Sequence, residues 1–415
     1  MKRYILIVLC SQSIFADYFK ARPFWENPYW GEPILDKDWL FNFTTIFKSG
    51  STDEGLDYDG RHKNILNIYG PTNLKTLTKG VPAEILNRYP TSPINGIWSS
   101  SSAREFGKIT FNGDFRVTSL NFYATQNFER GFFSGLFFQI ENHKLKSITY
   151  KDSTRNSNDL PSSITQNQWQ TFINNFFTNI QKYGVNMPNA ISTKGLNQLD
   201  TYFGWTRSFT QTEHVDFVDF TGIVGIRLPI GTEAKTAFNL NHNFGRSKSV
   251  IISGRIAVGL WNWLTVGFVL GAQVYKKRCA NIPMKTDTTQ CGLIKLASGA
   301  AIIDKKPLIN WGIFLKAEHF YKRFSLLFAY QYTKQKETFL EPKDTTVFSY
   351  EAANSDCALR RWEMQTLNFA IDYEFATEHK KNLPRVGVFF DIPIDGNLIF
   401  KTKQCGLGIS IKTVW

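Results

Sequence analysis

Between Val250 and Tyr275 the chain alternates. Val250, Ile252, Gly254, Ile256, Val258 and Leu260 share one parity, and Ile251, Ser253, Arg255, Ala257 and Gly259 the other. Beyond Trp261-Asn262-Trp263, the even positions Leu264, Val266, Phe268, Leu270, Ala272 and Val274 oppose Thr265, Gly267, Val269, Gly271, Gln273 and Tyr275. A period of two predicts two strands joined by a tight turn. The stretch is long enough for a membrane-spanning helix, which needs about 20 apolar residues. A helix would, however, carry Arg255 and Gln273 in or beside the hydrocarbon. One parity is large and apolar and the other small or polar, with few charges, and the indoles at the turn favour a membrane interface. This is the pattern of a hairpin in a transmembrane barrel, lipid on one face and lumen on the other. A buried hairpin of a soluble sandwich is the alternative.

The same alternation predicts strands at 38–48, 107–126, 130–150, 199–209, 215–229, 308–319, 323–335, 362–375, 385–394 and 404–415. In the first, Trp39, Phe41, Phe43, Thr45 and Phe47 oppose Leu40, Asn42, Thr44, Ile46 and Lys48. In 107–126, Ile109, Phe111, Phe115 and Val117 read as outward, and Leu120 and Phe122 take over past Ser119, which predicts a bulge there. The expected fold is all-β: a transmembrane antiparallel β-barrel of about 12 strands. Residues 49–106 are long for a loop, and a hairpin hidden around Ile65 to Tyr69 would raise the count to 14. Connections near 127–130, 210–214, 261–262, 320–323 and 376–383 are short and the others long, which places short turns and both termini in the periplasm and long loops outside. One segment breaks the pattern. Trp169, Phe172, Ile173, Phe176, Phe177, Ile180 and Tyr183 have helical spacing, predicting one amphipathic loop helix over Gln166 to Tyr183. Pro161-Ser162-Ser163 supplies its start and Gly184 its stop. Its polar face is Asn and Gln, and it would pack on the rim or act as a lid over the pore.

The ends fit export. Lys2 and Arg3, an apolar run from Tyr4 to Cys10 and a cleavage site at Ser13 to Ala16 make residues 1–16 a signal peptide. Residues 17–37, rich in proline and aromatics, form an N-terminal extended segment or plug, and 38–415 the barrel. Trp415 is a candidate assembly signal, because bacterial barrels commonly end in a strand with a terminal aromatic. The expected location is the outer membrane of a Gram-negative bacterium. The expected partners are outer-membrane lipid, lipopolysaccharide and the barrel-assembly machinery.

Composition changes this picture little. Mean hydropathy is −0.25, which excludes a helical membrane protein, whereas a barrel hides in such an average because half of each strand is polar. Aromatic content is 15%, with 36 Phe, which suits interfacial girdles. The net charge of +13 raises nucleic acid as a partner, but the basic residues are dispersed and form no run. Anionic headgroups or solutes suit them better, and simple solvated loop charges would also account for them.

Inward parity holds Lys48, Arg116, Asp219, Arg227, Arg255, Lys316, Asp372, Glu374 and Lys412, with Asp114 and Asp391, as candidate pore-lining charges. Eight strands leave no lumen and 16 leave a channel, so about 12 predicts narrow or gated passage. Cys279, Cys291, Cys357 and Cys405 are candidate disulfides in an exported chain, the first two as a staple within one loop. No metal signature is present and no cofactor is implied. An outer-membrane phospholipase would show a His with Ser two residues on, and none of the six histidines has one. A protease would use His214 and Asp216, which fall at a periplasmic turn. Phe203-Gly204-Trp205-Thr206-Arg207 and Gly225 to Gly231 resemble the central strands of Gram-negative channels of the phenol-degradation and long-chain fatty-acid transporter type. Arg227 stands for the usual Lys and Ile230 for the usual Thr of their Gly-x-Lys-x-Pro-Thr-Gly. The resemblance spans about a tenth of the chain and implies a passive uptake channel with an N-terminal plug. The expected function is a channel or porin for small solutes, hydrophobic or anionic. The rival is a non-conducting surface structural protein or adhesin.

Overall fold

A computed structural model describes residues 39–97, 106–154, 159–209, 215–230, 237–238, 247–375 and 382–414. Twelve antiparallel strands form a closed barrel. In chain order they are β1 (Leu40–Thr52), β2 (Lys108–Asn127), β3 (Phe132–Asp152), β4 (Ile191–Phe209), β5 (Val215–Pro229), β6 (Ser249–Leu260), β7 (Leu264–Tyr275), β8 (Leu308–Tyr321), β9 (Phe324–Gln335), β10 (Trp362–Glu374), β11 (Asn382–Asn397) and β12 (Lys403–Val414). The seam closes on β1, which pairs with β12 from Leu40↔Val414 to Ser51↔Lys403 and with β2 from Phe41↔Gln126 to Thr52↔Phe115. Every strand edge is thus paired, as a sheet in hydrocarbon requires. The count is 12 and not 14. Among the described residues no helix is long and apolar enough to cross a membrane.

The predicted alternation sets the wall. Val250, Ile252, Ile256, Phe268 and Leu270 are exposed on the outer face, while Ile251, Ser253, Ala257, Thr265 and Gln273 are buried on the inner one. The same outward apolar belt continues through Ile313 and Leu315, Phe328, Phe369 and Ile371, Val388 and Phe390, Leu407 and Ile409, and Phe43 and Phe47. At the β6–β7 turn Trp261 and Asn262 both have positive φ, 54° and 57°, the handedness that suits a tight hairpin between twisted strands. The Asn262 amide donates to the Asp216 carboxylate at 2.5 Å. The two indoles stack, with centroids 6.5 Å apart.

Strands β2 and β3 correct the sequence reading. Ile109, Phe111, Phe115 and Val117 point inward, on the same parity as Ser119, Asn121 and Tyr123, so β2 has no change of parity. The bulge lies on β3 instead, where the register slips between Asn112↔Thr149 and Asp114↔Lys146, with Ser147 at φ 54°. These strands have 20 and 21 residues. At about 3.3 Å per residue and a tilt of roughly 40° they rise about 50 Å, twice the ~25 Å apolar band of such barrels. Their far ends therefore stand clear of lipid, with polar residues outside and apolar ones within.

What those inner apolar faces pack against is a cap built from the long loops. Strands Glu54–Leu56, His62–Asn64 and Ile399–Phe400 form a small sheet. The expected hairpin near Ile65 is a 3-10 turn, Ile65–Asn67, capped by Asn64. Helix α1 (Gln166–Asn174) is capped by Thr165 in a reciprocal box with Gln168, not by the Pro161–Ser163 stretch. Asn175 (φ −115°, ψ 32°) separates α1 from α2 (Phe176–Gln181), and Gly184 ends the segment at φ +92°. Trp169, Phe172, Phe176 and Ile180 join Ile65, Leu66, Leu74 and Phe238, and the upper-wall residues Phe111, Phe115 and Leu145, in one buried cluster. A further three-stranded sheet, Arg278–Met284, Ala297–Lys305 and Thr338–Pro342, has its own core with helix α3 (Tyr350–Asn354) against it. The expected signal peptide, the 17–37 segment and Trp415 lie outside the described residues.

Candidate functional site in the barrel lumen

Below the cap the inner wall mixes polar residues with buried apolar ones such as Ile46, Phe137, Ile251 and Leu327, and several of its charges are paired. On the loop-side half, Arg227 of β5 grips Asp200 of β4 through Nε and Nη2 at 2.9 and 2.8 Å. Its Nη1 donates to Gln273 of β7 at 3.0 Å, and Gln273 donates in turn to Ser249 of β6 at 2.7 Å. The Asp200 carboxylate is fully buried, and such a charge persists only when paired and hydrogen-bonded. Toward the turn side, Arg385 of β11 meets Asp372 at 2.6 Å and Glu374 at 3.8 Å, and Lys316 pairs with Glu318. Lys48 of β1 bonds Asp391 at 3.0 Å, lies 5.0 Å from the centre of the Phe389 ring, and shares its carboxylate with Asn368. Arg255 reaches Thr221, whose hydroxyl bonds Thr206 at 2.9 Å. Thr44 donates to Ser410, which donates to Asn42.

Of the sequence-derived lumen charges, Lys48, Asp219, Arg227, Arg255, Lys316, Asp372, Glu374 and Lys412 are on the inner face, as is Asp391. Arg116 and Asp114 are not. Both are exposed on the outer face of β2, because the parity expected to switch at Ser119 does not. The sequence reading missed Asp200, Arg385, Glu141 and His143, all buried inward. Asp200 and Arg385 share parity with Tyr202 and Phe389 and were within reach of the alternation. His143 Nε2 stands 3.2 Å from Glu141, under the cap and beside the Phe115 ring.

Five large inward aromatics lie along the wall, each over a glycine. Tyr202 covers Gly135, Phe133 covers Gly204, Phe217 covers Gly259, Phe314 covers Gly267 and Phe389 covers Gly406. In each pair a Cβ on the glycine would fall within 2.1–2.3 Å of the ring, so only glycine lets the ring settle flat. Behind Gly267 and Phe314 the outer wall carries an apolar notch of about 390 Å³, lined by Ile256, Val266, Phe268, Ile313 and Leu315. Small inward residues such as Ala329 and Ser325 are 2% and 0% exposed. The lumen at their level is therefore not an open column of water.

The cap is held by its own polar bonds. The Trp169 indole donates to Asp152 at 2.8 Å and the Tyr150 hydroxyl to the Ile173 carbonyl at 2.5 Å. Gln290 of the β7–β8 connection bonds the Leu77 and Lys79 carbonyls, each at 3.0 Å, and the buried Lys295–Asp356 pair ties that connection to the β9–β10 one. Burial pushes the Tyr183 phenol well above its ordinary range while it donates to Asn95 at 2.7 Å. Burial likewise raises Tyr69.

Cys279, Cys291, Cys357 and Cys405 are free thiols, so the expected staples are not formed. Cys279 sits on the loop-side sheet, whereas Cys405 points outward from β12 between Ser49 and Phe390. His214 lies outside the described residues, and Asp216 serves as the turn anchor of Asn262. Among the described residues no cluster of three His, Cys, Asp or Glu could hold a metal ion.

No protein-family model matches the chain, and no curated protein is similar to it in sequence. Solved structures resemble it weakly. An outer-membrane channel from Pseudomonas putida F1 is 10% identical over 95% of this chain and all of that one, with a TM-score of 0.48. A mutant of the TodX monoaromatic hydrocarbon channel is 7% identical over 91% of each chain, at 0.36. The translocator domain of the autotransporter NalP from Neisseria meningitidis is 6% identical over 91% of this chain and 89% of that one, at 0.32. Channels and an autotransporter domain appear together at this level of overlap, and nothing about function is taken from it.

Proposed function

We propose that this protein is an outer-membrane channel for passive uptake of small solutes, closed in the state described here. The observation that carries the reading is the lumen. A twelve-strand wall is wider than the eight-strand one that its own side chains fill, and five inward aromatics are laid flat on glycines, which limits how far they reach across it. Short turns face the periplasm and the cap faces outward, following the usual asymmetry of such barrels. Because Lys48, Arg227, Lys316 and Arg385 each face a carboxylate within the protein, much of the inward positive charge is neutralised there. This favours uncharged, partly hydrophobic solutes over anionic ones. Two closures are in series. One is the cap. The other is residues 17–37, which precede a strand beginning at the turn-side mouth with Leu40 buried inward, and which we assign to the lumen as a plug. Residues 1–16 direct export, and Trp415 presents the last strand to the assembly machinery.

Planar-bilayer recording of the mature protein and of a variant lacking residues 17–37 tests this. Brief or rare openings are expected from the mature chain and larger, more frequent steps from the deletion. Silence from both would favour the second reading, a non-conducting surface protein. The buried cluster joining several loops, Trp169 among its members, supports that rival.

A further inference from the structure

We infer that the outer faces of β2, β3 and β4 form a binding site for a phosphorylated, multiply acylated glycolipid of the outer leaflet. This rests on the outer-membrane reading above. Arg116 and Lys144 are directly opposite one another across the β2–β3 pair. Lys146 is the next outward residue along β3, and Lys194 of β4 pairs with Asn142, one step below Lys144. Arg116, Lys146 and Lys194 are exposed. Like charges facing each other across strands repel, and among the described residues none of these four has an ion-pair partner. Asp114, across from Lys146, is the one carboxylate on the patch.

The loop side of β7–β10 differs. There Lys277 meets Asp304 at 3.3 Å and Glu341 at 3.5 Å, Lys306 meets Asp304 at 3.0 Å, and Arg361 meets Glu363 at 3.0 Å. Those three cations are answered within the protein, and the four of β2–β4 are left for something outside it. Height along the wall says what. Immediately below the patch the outward residues turn apolar: Leu120, Phe122, Phe138 and Ile140, with the Phe122 and Phe138 rings stacked at 4.4 Å. A molecule meeting both levels has phosphate at the headgroup and acyl chains beneath. Several cations spread over three strands suit more than one phosphate on a rigid sugar core, as in a bisphosphorylated glucosamine disaccharide lipid. Basic clusters at a membrane edge bind anionic lipid in this way.

The test is native mass spectrometry of the full mature chain in neutral detergent with three added lipids: the bisphosphorylated hexa-acyl disaccharide, its dephosphorylated form, and phosphatidylglycerol. Retention of the phosphorylated glycolipid is expected to fall on the order of a hundredfold in Arg116→Gln/Lys144→Gln/Lys194→Gln. It should hold in the control Lys277→Gln/Lys306→Gln/Arg361→Gln. The dephosphorylated lipid should bind the unaltered protein as weakly as the intact lipid binds the triple variant. Equal retention by the triple and the unaltered protein overturns the site, as does phosphatidylglycerol binding as tightly as the glycolipid. An unheated-versus-boiled gel shift reports the barrel independently. A folded triple that still holds lipid sinks the site alone, whereas an unaltered protein with no heat-dependent shift sinks the membrane reading with it.

Discussion

Strand β2 runs through two environments without changing which residues face in. Near its C-terminal end the inward residues are Ser119, Asn121, Tyr123 and Thr125, and Leu120 and Phe122 look out. Near its N-terminal end Ile109, Phe111, Phe115 and Val117 are the buried inward ones, and Asn112, Asp114 and Arg116 look out. The wall is the same; the media are exchanged. Lower down, hydrocarbon lies outside and a polar lumen inside. Higher up, water lies outside and the loop-built cap inside. An apolar parity therefore reports which side of a sheet is drier, and inside or outside only once the height is known. In the belt the apolar face is satisfied by lipid and contributes little to holding the protein to itself. In the cap apolar burial is the cohesion, as in a soluble core.

The largest expected effect falls on the cap. Trp169→Ala removes a fully buried indole that touches Phe106 and Phe172 and donates to Asp152. A loss of about 3–5 kcal/mol is expected, confined to the cap: limited proteolysis should cut within 53–107 and 153–190 while the unheated gel band keeps its mobility. Loss of that band as well would mean that cap and wall fold as one unit. Next comes Phe122→Arg, in the belt. A cation on the lipid face costs about 2–4 kcal/mol at mid-depth, and urea unfolding in vesicles should register it. A cost below 1 kcal/mol would place Phe122 outside hydrocarbon and dissolve the contrast along β2.

How much of this was legible follows from the same division. Strand β5 is read at 215–229 and observed at Val215–Pro229, and the β6–β7 hairpin agrees to within a residue. These strands lie largely within the belt, where lipid on one side and lumen on the other hold one rule from end to end. The rule fails where strands outrun the membrane. The apolar run Ile109 to Val117 suggested a bulge at Ser119 because only the surroundings had changed, and Arg116 was turned inward for that reason. Strand β4 begins at Ile191, not 199, so Asp200 stood at the edge of the expected strand and its pairing with Arg227 went unread. The cap was illegible for a different cause. It joins Leu66, Trp169, Phe238 and Ile294, from four separate connections, and no local period encodes contacts of that range. The helix was legible because its spacing is local. Its start was misplaced because the capping box of Thr165 and Gln168 is a finer signal than the proline before it.

A smaller effect tests the lumen. Gly267→Val places a side chain where the Phe314 ring lies, with Cβ 2.1 Å from it. The ring must swing toward the lumen, at a cost of about 1–3 kcal/mol. In the variant lacking residues 17–37, where the first closure is gone, this substitution should lower single-channel conductance. Unchanged conductance would mean that the conducting path does not pass β7 and β8.

The smallest expected effect is the sharpest on the comparison. Arg116→Leu puts an apolar residue on the outer face of β2, where the alternation alone had placed a lumen charge. If Arg116 lined the lumen, its replacement would leave carboxylates there unbalanced and shift ion selectivity. If it stands in water above the belt, its side chain touches nothing that folding depends on. Stability should then change by no more than about 0.5 kcal/mol, and reversal potentials in asymmetric salt should stay where they were. Phe115→Leu, one residue earlier and facing the cap, should cost more than this despite being the gentler change, because its ring packs on Phe400 and His143. A ranking in the opposite order would show that the two neighbours had exchanged faces, and with them the media on either side of the strand.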